Sequence, residues 1–138
     1  MIKPIVTMEF MLNKPSSSAT ISDMDAAQDL IDTLKAHEDT CVGMAANMIG
    51  VLKNIIVFRD QESQENRIMF NPEIIDASER YFTDEGCLSL TGTRPTQRFQ
   101  NITVRYQDMA FEWYEEEFSG FTAQIIQHEI DHCKGVVI

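Results

Sequence analysis

Behind Asp23, apolar residues recur at helical spacing: Ala27, Leu30, Ile31 and Leu34 fall on one face of a 3.6-residue repeat. The pattern predicts an amphipathic helix over residues 23–37, with Ser22 as N-cap and Asp25 completing a capping box. Asn54-Ile55-Ile56-Val57-Phe58 is instead continuous and β-branched, the pattern of a strand buried on both faces. A polar turn from Asp60 to Asn66 leads to Arg67-Ile68-Met69-Phe70, which reads as the return strand of a hairpin, stopped by Asn71-Pro72. Ile102-Thr103-Val104-Arg105-Tyr106 alternates, and Phe111 to Phe118 is expected to pair with it across Gln107-Asp108-Met109. A second helix is predicted from Phe121 to Cys133, with Gly135 placed to end it and Val136-Val137-Ile138 as one last short strand. Helix, strands, then a late helix predicts an antiparallel α+β fold rather than alternating parallel units. The whole, residues 1–138, reads as a single domain.

Bulk properties narrow the function classes. No apolar run approaches the length of a membrane span, and the N-terminus lacks the apolar segment of a secretory signal. The expected address is cytoplasmic, with no membrane partner. A net charge of −11 leaves no excess cation to displace counterions, which argues against a direct nucleic-acid partner. The cysteines, Cys41, Cys87 and Cys133, are odd in number and widely spaced, which argues against a disulfide framework. Each stands as a buried hydrophobe, a metal ligand or a reactive thiol.

The densest chemistry lies in His128-Glu129-Ile130-Asp131-His132. On a helix, positions i and i+4 are about 40° apart in azimuth and about 6 Å apart along the axis, so both imidazoles can face one ion. Glu129, on the neighbouring flank, is placed to take a proton from water activated by that ion. The bland alternative is a solvated face carrying two incidental histidines. Cys87, in Glu85-Gly86-Cys87-Leu88-Ser89, is a candidate third ligand, since a thiolate binds zinc or ferrous iron strongly.

Glu-Gly-Cys-Leu-Ser and Gln127-His128-Glu129-Ile130-Asp131-His132 together resemble the motifs of peptide deformylases. These enzymes remove the formyl group from the N-terminal formyl-methionine of new polypeptides. A third family motif, Gly-x-Gly-x-Ala-Ala-x-Gln-x-Gly, has its counterpart in Cys41-Val42-Gly43-Met44-Ala45-Ala46-Asn47-Met48-Ile49-Gly50. The three occur in family order over nearly the whole chain. The resemblance implies an α+β deformylase-like fold, with antiparallel strands around a C-terminal metal-binding helix. It implies Cys87, His128 and His132 as ligands of one divalent ion, ferrous iron in the cell, with zinc, nickel or cobalt able to take the site. It further implies Glu129 as general base and then acid, and the backbone N–H of Leu88 as an oxyanion donor. Val42, Gly43, Gly86 and Ile125 are implied around a formylated peptide, with Arg94 holding its backbone.

Three departures from the pattern carry expectations of their own. Met48 stands where the family has Gln, and a thioether cannot donate a hydrogen bond to the oxyanion. Reduced activity is expected, with Asn47 a possible substitute donor. The alternative is a deformylase-like protein that keeps fold and metal but serves as a binding or accessory protein. Cys41 replaces the first glycine of its motif and is expected to be oxidisable if exposed. Six residues follow His132, fewer than in typical bacterial members, which leaves ribosome docking open.

Overall fold

The computed structural model describes residues 1–87 and 90–136, with only the backbone of 90 and 91. In chain order it contains a one-turn α1 (Glu9–Leu12), α2 (Met24–Ala36), β1 (Gly43–Ala45), β2 (Ile55–Asp60), β3 (Glu65–Cys87), β4 (Leu90–Gln107), β5 (Trp113–Ser119) and α3 (Gly120–Cys133). The strands form one antiparallel sheet in the order β1-β2-β3-β4-β5. This is the antiparallel α+β arrangement expected from the order of elements.

Strand β2 explains why its segment is uniformly apolar. Successive side chains point to opposite faces of a sheet. Ile55 and Val57 join a core formed with Leu30 and Leu34 of α2, with Leu12, Met44 and Phe70 around them. Ile56 and Phe58 join the other core, against Ala123, Ile126 and Ile130 of α3 and Val104 of β4. The two helices thus cover opposite faces, and β2 is buried between them.

Helix α2 occupies the predicted span to within a residue at each end, but its capping box lies earlier. Asp23 accepts the Thr20 N–H at 2.8 Å, and a 3₁₀ turn over Ile21–Asp23 leads into the helix. Strand β3 does not stop at Asn71-Pro72 as the sequence suggested. Asn71 adopts a left-handed conformation (φ 52°), and the ladder with β4 shifts register between Phe70 and Glu73. A bulge of this kind accommodates a residue without an N–H, and the strand continues. The Asn71 side chain uses the position: it accepts from the Ala19 N–H at 2.8 Å and donates to the Ala19 carbonyl at 3.0 Å. Beyond it, Arg80–Cys87 pairs with β4 as a long arm, ending at Cys87 opposite Leu90. Most of that arm is half-buried or exposed, so it carried no apolar alternation to read.

Helix α3 is buried on most of its surface, which demands that its polar side chains find partners. Gln127 brackets Phe99 of β4, accepting its N–H at 2.8 Å and donating to its carbonyl at 2.8 Å. Thr122 accepts the Gln61 N–H at 3.0 Å. The helix ends as predicted at Gly135 (φ 79°), whose N–H donates to the His132 carbonyl at 3.0 Å. Val136 belongs to no strand, and Val137 and Ile138 lie outside the described residues. Among the described residues, no helix is long and apolar enough to cross a membrane.

Gly135 also closes the helix end onto the N-terminal segment: a Cβ there would lie 2.6 Å from the Asn13 carbonyl oxygen. Gly135→Ala combines a left-handed backbone with that collision and is expected to cost on the order of 2–3 kcal/mol. A urea titration should show a lower midpoint with unchanged slope. An unchanged midpoint would mean that Asn13 yields freely.

Candidate metal centre

One turn of α3 separates His128 from His132, and their Nε2 atoms face each other at 2.9 Å. Cys87, at the end of β3, meets them from the sheet side: one ligand atom from each of the three lies within 4.8 Å of the others. His132 is fully buried and His128 nearly so. Strand geometry places Glu85 beside them, because residues i and i+2 share a face. Its Oε1 accepts from His128 Nδ1 at 2.8 Å. That bond turns Nε2 toward the other candidate ligands, the ring nitrogen that would bind a cation once it gives up its proton.

Glu85 is itself held from several sides. Arg98 of β4 donates from Nη2 to Oε1 at 2.7 Å and from Nε to Oε2 at 3.0 Å. Gln124 of α3 donates to Oε2 at 2.9 Å. Arg98 reaches onward to Asp131 Oδ2 at 2.8 Å, so one buried guanidinium joins the β3–β4 arm to α3. Burial alone would raise the Glu85 carboxyl, but hydrogen bonds from His128 and Arg98 hold it down at about 2.

The remaining groups divide by environment. Burial and the adjacent His128 hold His132 down at about 3, keeping its ring neutral. Burial opposes a charge on His128 as well, yet Cys87 and Glu85 beside it push that ring up to about 10. Burial raises Glu129 to about 7, and its Oε1 has no hydrogen-bond partner among the described residues. His132 Nδ1 also lacks one. Two imidazoles and a thiol converging in a buried site suit a transition metal or zinc, and not magnesium or calcium, which take oxygen ligands.

These groups line or underlie a cavity of about 590 Å³. Val42, Gly43, Gly86 and Ile125, all expected near substrate, lie on its wall. Gly43 must lack a side chain, since a Cβ would come 2.8 Å from Ile125 Cγ2 and 2.9 Å from Glu129 Oε2. Arg94 pairs with Glu85 across the β3–β4 ladder but is not among the residues lining the cavity. Leu88 lies outside the described residues. Glu85, Arg98 and Asp131 were not singled out by sequence. Glu85 and Asp131 lay inside the quoted motifs, Glu85 two residues from Cys87, whereas nothing in the sequence marked Arg98.

The profile of the polypeptide deformylase family matches residues 2–138. The chain belongs to the peptide deformylase family. It is 50% identical to a peptide deformylase of Clostridium beijerinckii over the full length of both chains. It is 36% identical to peptide deformylase 1 of Clostridium perfringens, over 80% of this chain and 74% of that one. Its fold matches the Met-Ala-Ser-bound class I type b deformylase of Acinetobacter baumannii with a TM-score of 0.87, at 26% identity, covering 99% and 97% of the two chains. The Thermotoga maritima deformylase also matches with a TM-score of 0.87, at 28% identity over 99% and 95%. Deformylases are metallohydrolases, which accords with the donor set just described.

The departures from the deformylase pattern now have places. Met48 is buried and lies on the cavity wall. Asn47 does not replace its missing donor there: its amide is turned away, donating to the His132 carbonyl at 2.9 Å. Cys41 is half-buried, its thiol 2.9 Å from the Gly43 carbonyl, and burial pushes it up to about 11. It stays a protonated thiol at neutral pH, unlike a redox-sensing cysteine. All three cysteines are free.

Glu85→Gln removes one of the two anions that compensate Arg98 and leaves Asp131 to hold it alone, so the loss is expected to stay below the ~3–5 kcal/mol typical of a buried charge with no partner left. Because its folded-state value is depressed from 4.5 to about 2, the wild-type contribution is complete above 4.5 and vanishes as the pH falls toward 2. Urea titrations at about pH 6 and about pH 3 should show the gap between wild type and Glu85→Gln closing on acidification. A gap independent of pH would rule out this account of Glu85.

Proposed function

We propose that this chain is a peptide deformylase that removes the formyl group from the N-terminal formyl-methionine of nascent peptides. One divalent ion held by Cys87, His128 and His132 serves the reaction, ferrous iron in the cell, with zinc, nickel or cobalt suiting the same donors. The observation that carries this reading is the convergence of one thiol and two imidazoles beside a buried carboxylate, at a cavity of about 590 Å³. When bound, such an ion supplies a Lewis acid that acidifies water and polarises the formyl carbonyl.

The protein's own groups do the rest. Glu129, raised to about 7 by burial, can accept the water proton near neutrality and return it to the departing amine. Its packing against Gly43 fixes where that proton is exchanged. The methionine side chain enters between Val42, Phe121 and Ile125, and the bare backbones of Gly43 and Gly86 let the peptide approach. Arg94 is assigned to the peptide backbone and the Leu88 N–H to the developing oxyanion.

Met48 favours a slow enzyme, and in the limit a binding protein, because the wall offers a thioether where an amide donor belongs. Protein loaded with nickel or ferrous iron should release formate from formyl-Met-Ala-Ser. Glu129→Gln should lower that rate by ~10²–10⁴. Turnover that survives this change would place the base elsewhere. Met48→Gln should raise the rate by up to ~10²–10³. An unchanged rate would show that the oxyanion already has its donors.

A further inference from the structure

Helix α3 turns Phe121, Gln124, Ile125 and His128 toward the cavity, the spacing of a single helical face. Phe121 and Ile125 offer apolar surface and His128 a ligand, but a half-buried amide among them needs its own explanation. Gln124 is committed at both ends. Its Nε2 donates to Glu85 Oε2 at 2.9 Å, and its Oε1 accepts from the Tyr81 hydroxyl at 3.3 Å.

The consequence lies in how Glu85 is oriented. Arg98 spans both carboxylate oxygens, while His128 shares Oε1 with it. Gln124, itself on the cavity wall, holds Oε2, and this opposes rotation of the carboxylate plane away from His128. Tyr81 sets which end of the amide faces Glu85: a carbonyl oxygen in that place would repel the anion. The amide that steadies His128 through Glu85 is also the surface that a guest side chain touches.

We propose that Gln124 is a positioning residue for His128. It ties the fit of the substrate's first side chain to the geometry of the metal ligand. A slender chain leaves the amide in place; a broad one displaces it and releases Glu85. The substrate half of this proposal rests on the deformylase reading, whereas the metal half does not.

The test uses the intact protein and three variants: Gln124→Leu, which keeps the volume, Gln124→Glu, which replaces donor by anion, and Tyr81→Phe. Nickel affinity is measured by competition with a chelator, and kcat and KM are measured for formyl-Met and formyl-Phe peptides. Gln124→Leu should bind nickel up to about tenfold more weakly, the lower end of the scale for losing the direct partner of a ligating histidine, because Gln124 acts on His128 through Glu85. Gln124→Glu should bind it more weakly still, and Tyr81→Phe should show a smaller loss in the same direction. Wild type should disfavour formyl-Phe through kcat, whereas Gln124→Leu should disfavour it through KM alone. Nickel affinity within twofold of wild type in a folded Gln124→Leu would overturn the proposal. If that variant does not fold, unchanged nickel affinity in Tyr81→Phe does so. Absence of formate release from every form would sink the deformylase reading and leave the nickel comparison to decide the role of Gln124.

Discussion

The Glu85 carboxylate, buried and ringed by donors from two other elements, is the constraint on which the site depends. An anion in an apolar interior survives only if its hydrogen-bonding capacity is filled. Arg98 supplies the opposite charge from β4, while His128 and Gln124 supply donors from α3. The same bonds therefore fix the histidine tautomer and dock the β3–β4 arm on the helix. Asp131 completes the link by taking the remaining end of Arg98. The joint between the arm and the body and the orientation of a candidate ligand are one structure.

Helix α3 shows the complementary constraint. A helix carrying His, Glu, Gln and Thr is a poor core element, yet this one is covered on most sides. It is tolerated because its polar groups are answered by backbone: Gln127 on Phe99, Thr122 on Gln61, Asn47 on the His132 carbonyl. What stays unanswered on α3 itself, Glu129 Oε1 and His132 Nδ1, lies in the functional neighbourhood. That distribution is what a site built for a reacting guest requires, and it is poor economy for stability alone.

Legibility in the sequence followed burial and spacing. Residues 24–36 were readable because one helix face is apolar, and residues 55–58 because both strand faces are. The arm was not readable, since too little of it is buried to leave a pattern, and Asn71-Pro72 looked like an end when it is a bulge. His128, His132 and Glu129 were legible through short helical spacing, and Cys87 through its motif. The groups that support them were not. Glu85 and His128 lie 43 positions apart, and Glu85 and Arg98 13 apart across a hairpin whose pairing the sequence does not announce. Asn47, 85 positions from His132, looked like a spare donor until its partner was seen.

The depth of α3 has a consequence in time. Within this sequence it is the last element to be synthesised, yet it supplies the centre of one core and most of the candidate ligands. Until it emerges, the face of β2 carrying Ile56 and Phe58 has no helix to cover it. Contacts of such long sequence separation close late and slowly. The candidate site therefore cannot mature as a local unit ahead of the fold. The step that shelters this open apolar face is also the one that brings the candidate metal ligands together.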